Sequence, residues 1–244
     1  MPSTVATFDA ARAARYDHEI PHAIPGYGVL HALTAAVCAA GLAEAAAPGG
    51  AGPRVLLAGA GTGAELAALA AVGPAWRFVA ADPSADMLAH LRARAAALRV
   101  GDRLTVHRGE VATLPAEPPF DVPFDAATLL LVLHFVPDDG AKLALLAALA
   151  RRLRPGAPLL LADMVGEPGT PSFERLLGAW TAHLRLSAGA PEPAANTAAA
   201  EVRAQLHWVS ERRLTALLVE AGFEPPVRYW QGLLAGAWVA RAAG

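Results

Sequence analysis

The stretch Arg54-Val55-Leu56-Leu57-Ala58-Gly59-Ala60-Gly61-Thr62-Gly63-Ala64-Glu65-Leu66-Ala67-Ala68-Leu69 decides the fold. An uninterrupted apolar run opens it and reads as a strand buried on both faces. Three glycines in five residues follow, and then an apolar pattern of helical period from Ala64 to Val72. Strand, glycine turn and helix in this order let backbone approach a ligand closely, with free N–H groups at the start of the helix. Upstream, Pro48-Gly49-Gly50-Ala51-Gly52-Pro53 reads as a linker, and residues 1–47 read as helical. Phe8, Ala11 and Tyr16 fall in one helical segment and Leu30, Leu33 and Val37 in another, with a break at Pro21/Pro25-Gly26.

The same alternation continues downstream. Arg77 to Ala81 reads as a second strand, then Asp82-Pro83-Ser84, with Ser84 placed to cap a helix that turns Met87, Leu88 and Leu91 inward. Leu104 to His107 and Phe124 to Leu131 are the third and fourth strands. Asp138 or Asp139 caps a helix carrying Leu143, Leu146, Leu149 and Leu153, which stops at Pro155-Gly156, and Pro158 to Met164 is the fifth strand. Repeated strand–helix units predict an α/β, Rossmann-like doubly wound, mostly parallel seven-stranded sheet. A helix over Ser172 to Leu186 lies in an insertion after strand five. The chain ends in a helix over Ser210 to Ala221 and two closing strands, Val227 to Trp230 and Leu233 to Ala240. One domain is expected over 1–244: a helical cap (1–48), a core (50–165), an insertion or lid (166–209) and a closing segment (210–244).

Composition narrows the function classes. The chain has 244 residues, 55% of them hydrophobic, and a formal net charge of −2, so it can bury a large core and offers no bulk attraction to a polyanion. Nucleic acid is therefore disfavoured as a partner. The single cysteine, Cys38, lies in an Ala-rich apolar stretch and is expected to be buried and inert, which excludes cysteine metal sites. The pair His18/His22 lacks a well-spaced third and fourth ligand, so no metal is expected. No segment has the signal-peptide pattern or the roughly 20 apolar residues of a membrane span, and a cytoplasmic location is expected.

Taken alone, Gly59-Ala60-Gly61-Thr62-Gly63-Ala64 does not separate a dinucleotide from S-adenosylmethionine. Asp82, at the end of the second strand, stands at the distance downstream where a carboxylate accepts ribose hydroxyl hydrogen bonds. Glu110 in Arg108-Gly109-Glu110-Val111 is placed to accept from an adenine amino group, with Val111 against the ring.

With these residues in order, Val55 to Gly63, Asp82-Pro83-Ser84 with Met87-Leu88, and Arg108-Gly109-Glu110 resemble the first, second and adenine motifs of class I S-adenosylmethionine-dependent methyltransferases. Phe124-Asp125-Ala126, Val132 to Pro137 and Leu153-Arg154-Pro155-Gly156 are similar to the same family's later segments. Phe8-Asp9, Tyr16-Asp17, Ile24-Pro25-Gly26-Tyr27 and the ending Ala221-Gly222-Phe223-Glu224 with Trp230-Gln231 resemble the branch containing the tRNA wobble-uridine carboxymethyltransferase. The resemblance implies S-adenosylmethionine as cofactor, bound by Tyr16, Tyr27, Gly59, Ala60, Gly61, Gly63, Asp82, Pro83, Met87, Glu110, Val111 and Leu130.

Two departures stand out. Leu57 occupies the position, two before the first glycine, where the family carries an acidic residue that orders the methionine end. In the insertion, Ala199 stands where the carboxymethyl branch has an arginine, with Arg203 nearest, which favours ordinary S-adenosylmethionine. Methyl transfer needs alignment more than acid–base machinery. His134, after the fourth strand, is the candidate base or acceptor-positioning group. Trp180, Trp208, Tyr229 and Trp230 line an apolar acceptor pocket or fill core under the lid. The expected partner is a small-molecule acceptor, and a homodimer is left open.

Overall fold

A computed structural model of the protein describes residues 10–45 and 52–244. Phe8 and most of the expected linker lie outside the described residues. The centre is a seven-stranded sheet of order β3-β2-β1-β4-β5-β7-β6. Its strands are β1 Arg54–Ala58, β2 Arg77–Asp82, β3 Leu104–Arg108, β4 Ala126–Leu130, β5 Pro158–Met164, β6 Val227–Gly232 and β7 Ala235–Arg241. The first five run parallel, while β7 is antiparallel to both β5 and β6. The strand order reverses at β1, which has β2 on one side and β4 on the other, and a doubly wound sheet opens its ligand crevice at the carboxyl ends of such a pair.

The helices are α1 Ala10–Ala23, α2 Tyr27–Ala45, α3 Leu66–Val72, α4 Ala85–Ala97, α5 Ala141–Ala150, α6 Pro171–Ala188, α7 Glu192–Gln205 and α8 Glu211–Glu220. Side chains alternate along each strand, so β1 serves two cores at once. Leu56 and Ala58 join Leu146 of α5 and Leu217 of α8 on one face. Val55 and Leu57 join Cys38 of α2, Leu66 of α3 and Leu91 of α4 on the other. A third cluster lies at the carboxyl end of the sheet, where Ile24 and Leu30 of the cap meet Trp180 and Leu184 of α6 above Ala162 and Met164 of β5. Trp180 Nε1 donates to the Ala23 carbonyl at 2.6 Å and Ser187 Oγ to the His22 carbonyl at 3.1 Å, which ties the insertion to the cap.

The sheet, its mostly parallel run and the flanking helices agree with the sequence reading, and β5 has the expected bounds. Several details differ. Pro21 sits inside α1 without breaking it, because in the last turn it forfeits only one hydrogen bond and Ile24 N still reaches Ile20 O at 2.9 Å. The turn comes at Gly26, whose φ is +77°. The helix after the glycine loop begins at Leu66 rather than Ala64, since Gly63 at φ +73° keeps the chain in a turn.

β4 is shorter than expected at both ends. Phe124 forms a separate bridge with Leu153, and Leu131 leaves the strand at φ +59°. Neither aspartate is the N-cap of α5, which is Gly140; Asp139 accepts from Ala141 N at 3.2 Å, while Asp138 is held bidentately by Arg213 at 2.9 and 3.0 Å. The insertion contains a second helix, α7, that the sequence reading lacked. Its only buried residues are Ala195 and Ala199, one turn apart, so it presents almost no apolar stripe to read.

Candidate cofactor site

Three glycines in the β1–α3 loop take positive φ, and they do so for different reasons: Gly59 at +60°, Gly61 at +51° and Gly63 at +73°. A Cβ on Gly59 would lie 2.5 Å from Val132 Cγ2, and one on Gly63 would lie 3.1 Å from Leu91 Cγ. Those two glycines fit the loop to the protein. A Cβ on Gly61 would meet only the Gly59 carbonyl at 4.0 Å, so Gly61 is where the backbone lies open to a ligand.

Asp82 fixes that opening from below. Its Oδ2 accepts from Gly61 N at 2.9 Å and its Oδ1 from Ser84 N at 2.8 Å. Burial pushes its pKa up and the two amides pull it back. Each carboxylate oxygen keeps a further lone-pair direction for a hydroxyl. Ser84 Oγ accepts from Met87 N at 3.2 Å, the cap expected from sequence.

The cleft above the loop is lined by Tyr16 of α1, Tyr27 and His31 of α2, residues 59–62, Ala64 and Glu65, and by Leu130 and Leu131 at the end of β4. It thus gathers six of the expected cofactor residues: Tyr16, Tyr27, Gly59, Ala60, Gly61 and Leu130. Gly63, Asp82, Pro83, Met87, Glu110 and Val111 do not line it. Met87 and Val111 are buried in the interior, and Pro83 and Glu110 are exposed on the β2–β3 side. Glu110 stays beside Asp82 because β2 and β3 pair to their ends and Gly109 N donates to the Asp82 carbonyl at 3.0 Å.

The cap is latched over the loop. Asp17 Oδ1 accepts from Thr62 Oγ1 at 2.6 Å, Asp17 Oδ2 pairs with Arg94 Nη2 at 2.5 Å, and Arg94 Nε donates to the Thr62 carbonyl at 3.0 Å. One helix of the core therefore holds both the loop and the cap.

The inner end of the cleft carries two polar groups that the sequence reading did not single out. Glu65 is 5% exposed, and its contact with Thr128 Oγ1 is long, 3.4 Å. Burial raises its pKa to about 7; its own backbone amide, Thr128 and Arg94 lower it and Asp82 raises it. His31 is 8% exposed, and neither ring nitrogen has a hydrogen-bond partner. Its ring meets Tyr27 edge-on at 4.4 Å, and burial pulls its pKa down to about 4, which keeps it neutral at pH 7. Burial pushes the Tyr16 and Tyr27 phenols upward, so both remain protonated donors. A charge two residues past the loop, inside the apolar run Ala64-Glu65-Leu66-Ala67-Ala68-Leu69, was the available signal for Glu65.

His134 lies just past β4 and outside the cleft lining. It is 5% exposed, and Asp163 Oδ1 accepts from both its backbone N (3.0 Å) and Nδ1 (2.5 Å). Asp163 Oδ2 has no partner, and buried Lys142 donates to the Leu133 carbonyl at 2.7 Å. Among the aromatic candidates, Trp180 is buried against the cap, Trp208 meets Phe173 edge-on at 4.9 Å, the Tyr229 hydroxyl pairs with Thr34 at 2.8 Å, and Trp230 lies 3.6 Å from a Cβ placed on Gly26. Trp180 bridges insertion and cap; Trp208 packs within the insertion, and Tyr229 and Trp230 of β6 pack against the cap. Arg203 is paired with Glu174 at 2.5 Å. Cys38 is fully buried and its thiol is pushed up to about 12.

Residues 55–156 match the family model described as a methyltransferase domain. That segment runs from β1 to the end of the loop before β5, and it contains the glycine loop, Asp82 and Glu110. Similar solved structures include an O-methyltransferase family 2 protein from Planctomyces limnophilus in complex with apigenin, 19% identical, TM-score 0.61, covering 98% of this chain and 63% of that one. An O-methyltransferase family protein from Burkholderia thailandensis is 15% identical, TM-score 0.64, covering 97% and 61%. The mitomycin 7-O-methyltransferase MmcR is 21% identical, TM-score 0.54, covering 84% and 53%. At these identities the likeness establishes a shared fold, and this chain spans between about half and three fifths of the length of those proteins. Residues 55–156 are thus similar to a methyltransferase domain, and the sheet they contribute to has a Rossmann-like fold.

Proposed function

We propose that the protein binds S-adenosylmethionine in this cleft and transfers its methyl group to a small-molecule acceptor. The observation that carries the reading is the opening over Gly61, set by Asp82 at the carboxyl ends of β1 and β2 and walled by Tyr16, Tyr27 and Leu130. The residues fit the cofactor chemically. Asp82 supplies acceptors for ribose hydroxyls and Glu110 an acceptor for an adenine amino group. The loop presents backbone at Gly61, and the phenols of Tyr16 and Tyr27 are donors. Held by Asp82, Glu110 and the Gly61 backbone, the cofactor would supply an electrophilic methyl group on a sulfonium, whose transfer to the acceptor would leave a neutral thioether and release the acceptor's proton.

The chain's part is to align and to exclude water. Leu130 and Leu131 wall the cleft where β4 ends. His134, just beyond the cleft lining, is the side chain we assign to position the acceptor or take its proton; with Nδ1 as the donor to Asp163, Nε2 keeps a lone pair. A His134→Ala variant that keeps the affinity for S-adenosylhomocysteine and the full kcat would remove that role.

A small acceptor accords with the net charge of −2 and with the arginines of the one dense C-terminal cluster. Of that cluster, Arg203, Arg212 and Arg213, the first is paired with Glu174 and the last with Asp138, which leaves Arg212 as its one arginine outside those two ion pairs. Isothermal titration with S-adenosylhomocysteine tests the reading, with micromolar affinity expected; folded protein that takes up no heat with it sinks the proposal.

A further inference from the structure

Leu57 raises a specific question: this chain lacks the β1 carboxylate that would meet the amino-acid end of the cofactor. We propose that Glu65 supplies it from the other side of the glycine loop, forming with His31 a polar pocket for the α-ammonium and α-carboxylate groups of the cofactor's methionine part. The assignment rests on the cofactor reading above and deepens it.

Three observations carry it. The first is register. Leu57 pairs with Thr128 across β1 and β4, so their side chains share a face of the sheet. Thr128 Oγ1 is the group that contacts Glu65 Oε1, at 3.4 Å. The Glu65 carboxyl therefore stands over the same pair of strand ends from which an acidic side chain at position 57 would project, and Leu57 itself is fully buried among Leu66, Leu69 and Cys38.

The second is incomplete bonding. A carboxyl that is 5% exposed ordinarily carries firm partners, since a buried charge without them is costly. Here the neighbouring cation, Arg94, is committed to Asp17 and to the Thr62 carbonyl. Glu65 is held by its own backbone amide and the long Thr128 contact, with no cation paired to it, and it lines the cleft.

The third is His31, on the same cleft, more than nine-tenths buried with both ring nitrogens unpartnered. A neutral imidazole offers one N–H to a carboxylate and one lone pair to an ammonium. An α-amino acid end presents both. Buried polar groups left open in a core seldom persist without a partner of this kind.

Titration calorimetry of the full chain at pH 7.5 separates the two layers of the argument. Two probes are compared: S-adenosylhomocysteine, and 5′-methylthioadenosine, which keeps the adenosine and the thioether but has no amino-acid end. For Glu65→Gln we expect at least a tenfold loss of affinity for S-adenosylhomocysteine and a change of less than twofold for 5′-methylthioadenosine. His31→Phe, which keeps the ring volume, should repeat the pattern more weakly, by threefold or more. Equal losses for both probes would make Glu65 a general packing residue, and unchanged binding of both would remove its role; either overturns the assignment while leaving the cofactor reading standing. Wild-type protein that binds neither probe overturns both.

Discussion

Two buried carboxyls flank the glycine loop, Asp82 at the end of β2 and Glu65 just before α3, and the fold holds them differently. Asp82 accepts from two backbone amides, 2.8 and 2.9 Å away, and is part of what shapes the loop. Glu65 has its own backbone amide and one long side-chain contact at 3.4 Å, and sits in slightly greater isolation from water. Burial raises the pKa of both; two backbone amides offset it at Asp82, while at Glu65 its own amide, Thr128 and Arg94 do so and the pKa still stands at about 7. An acid so held is architecture as well as binding group; an acid left under-bonded costs the ligand-free protein stability and is free to meet a ligand.

Removing Asp82 tests the first half and has the largest expected effect. Asp82→Ala leaves the Gly61 and Ser84 amides without acceptors and should destabilise the fold by about 4 kcal/mol, since hydrogen bonds to a charged acceptor are worth ~1.5–3 kcal/mol each. Urea unfolding measures the stability. S-adenosylhomocysteine binding, by calorimetry, should fall at least a hundredfold.

Glu65→Gln should do the reverse to stability. A glutamate whose folded pKa is about 7 against a usual 4.5 favours the neutral form in the fold. Its burial costs nothing below pH 4.5, costs progressively more between pH 4.5 and 7, and is constant above. At ~1.4 kcal/mol per pK unit the variant gains about 3 kcal/mol at pH 8 without ligand and nothing at pH 4.5. Urea unfolding at the two pH values reads this directly, and equal stabilities at pH 8 would show that Glu65 is as well satisfied as Asp82.

A smaller effect is expected between the two ends, at the latch. Asp17→Ala unties α1 from Thr62 and Arg94, and a partly exposed ion pair with one hydroxyl bond is worth about 1 kcal/mol. Stopped-flow release of S-adenosylhomocysteine should quicken by roughly fivefold, with the two ends still distinguishable by probe. The smallest effect belongs to Arg203→Ala. Its pair with Glu174 is exposed, so affinity for S-adenosylhomocysteine should stay within about 0.5 kcal/mol of wild type. A larger loss would place Arg203 in the site and reopen the carboxylated cofactor.

The same contrast explains what could be read from sequence. The central strands are continuous apolar runs punctuated by glycine or proline, and five parallel units follow from that alternation. Asp82 was legible because its role depends on local order: strand end, then Pro83, then a capped helix. Glu65 and His31 were not, because their meaning comes from the β1–β4 register and from the docking of a cap some 30 residues away in sequence. The helix α7 escaped for a simpler reason. Alanine packs there at Ala195 and Ala199 while alanine also faces solvent elsewhere on the same helix, so composition carries no side. Trp180, Tyr229 and Trp230 could be named as aromatic but not assigned between pocket and packing until the insertion and β6 were seen against the cap.

The latch formed by Asp17, Thr62 and Arg94 has a consequence for timing. The latch ties α1 across the loop where the cofactor is proposed to bind, so loosening it should speed release of a spent cofactor. Its ion pair is open enough to solvent to be screened, so added salt loosens the helix. Rising ionic strength is then expected to quicken release of S-adenosylhomocysteine, which stopped-flow measurement across a salt series reads.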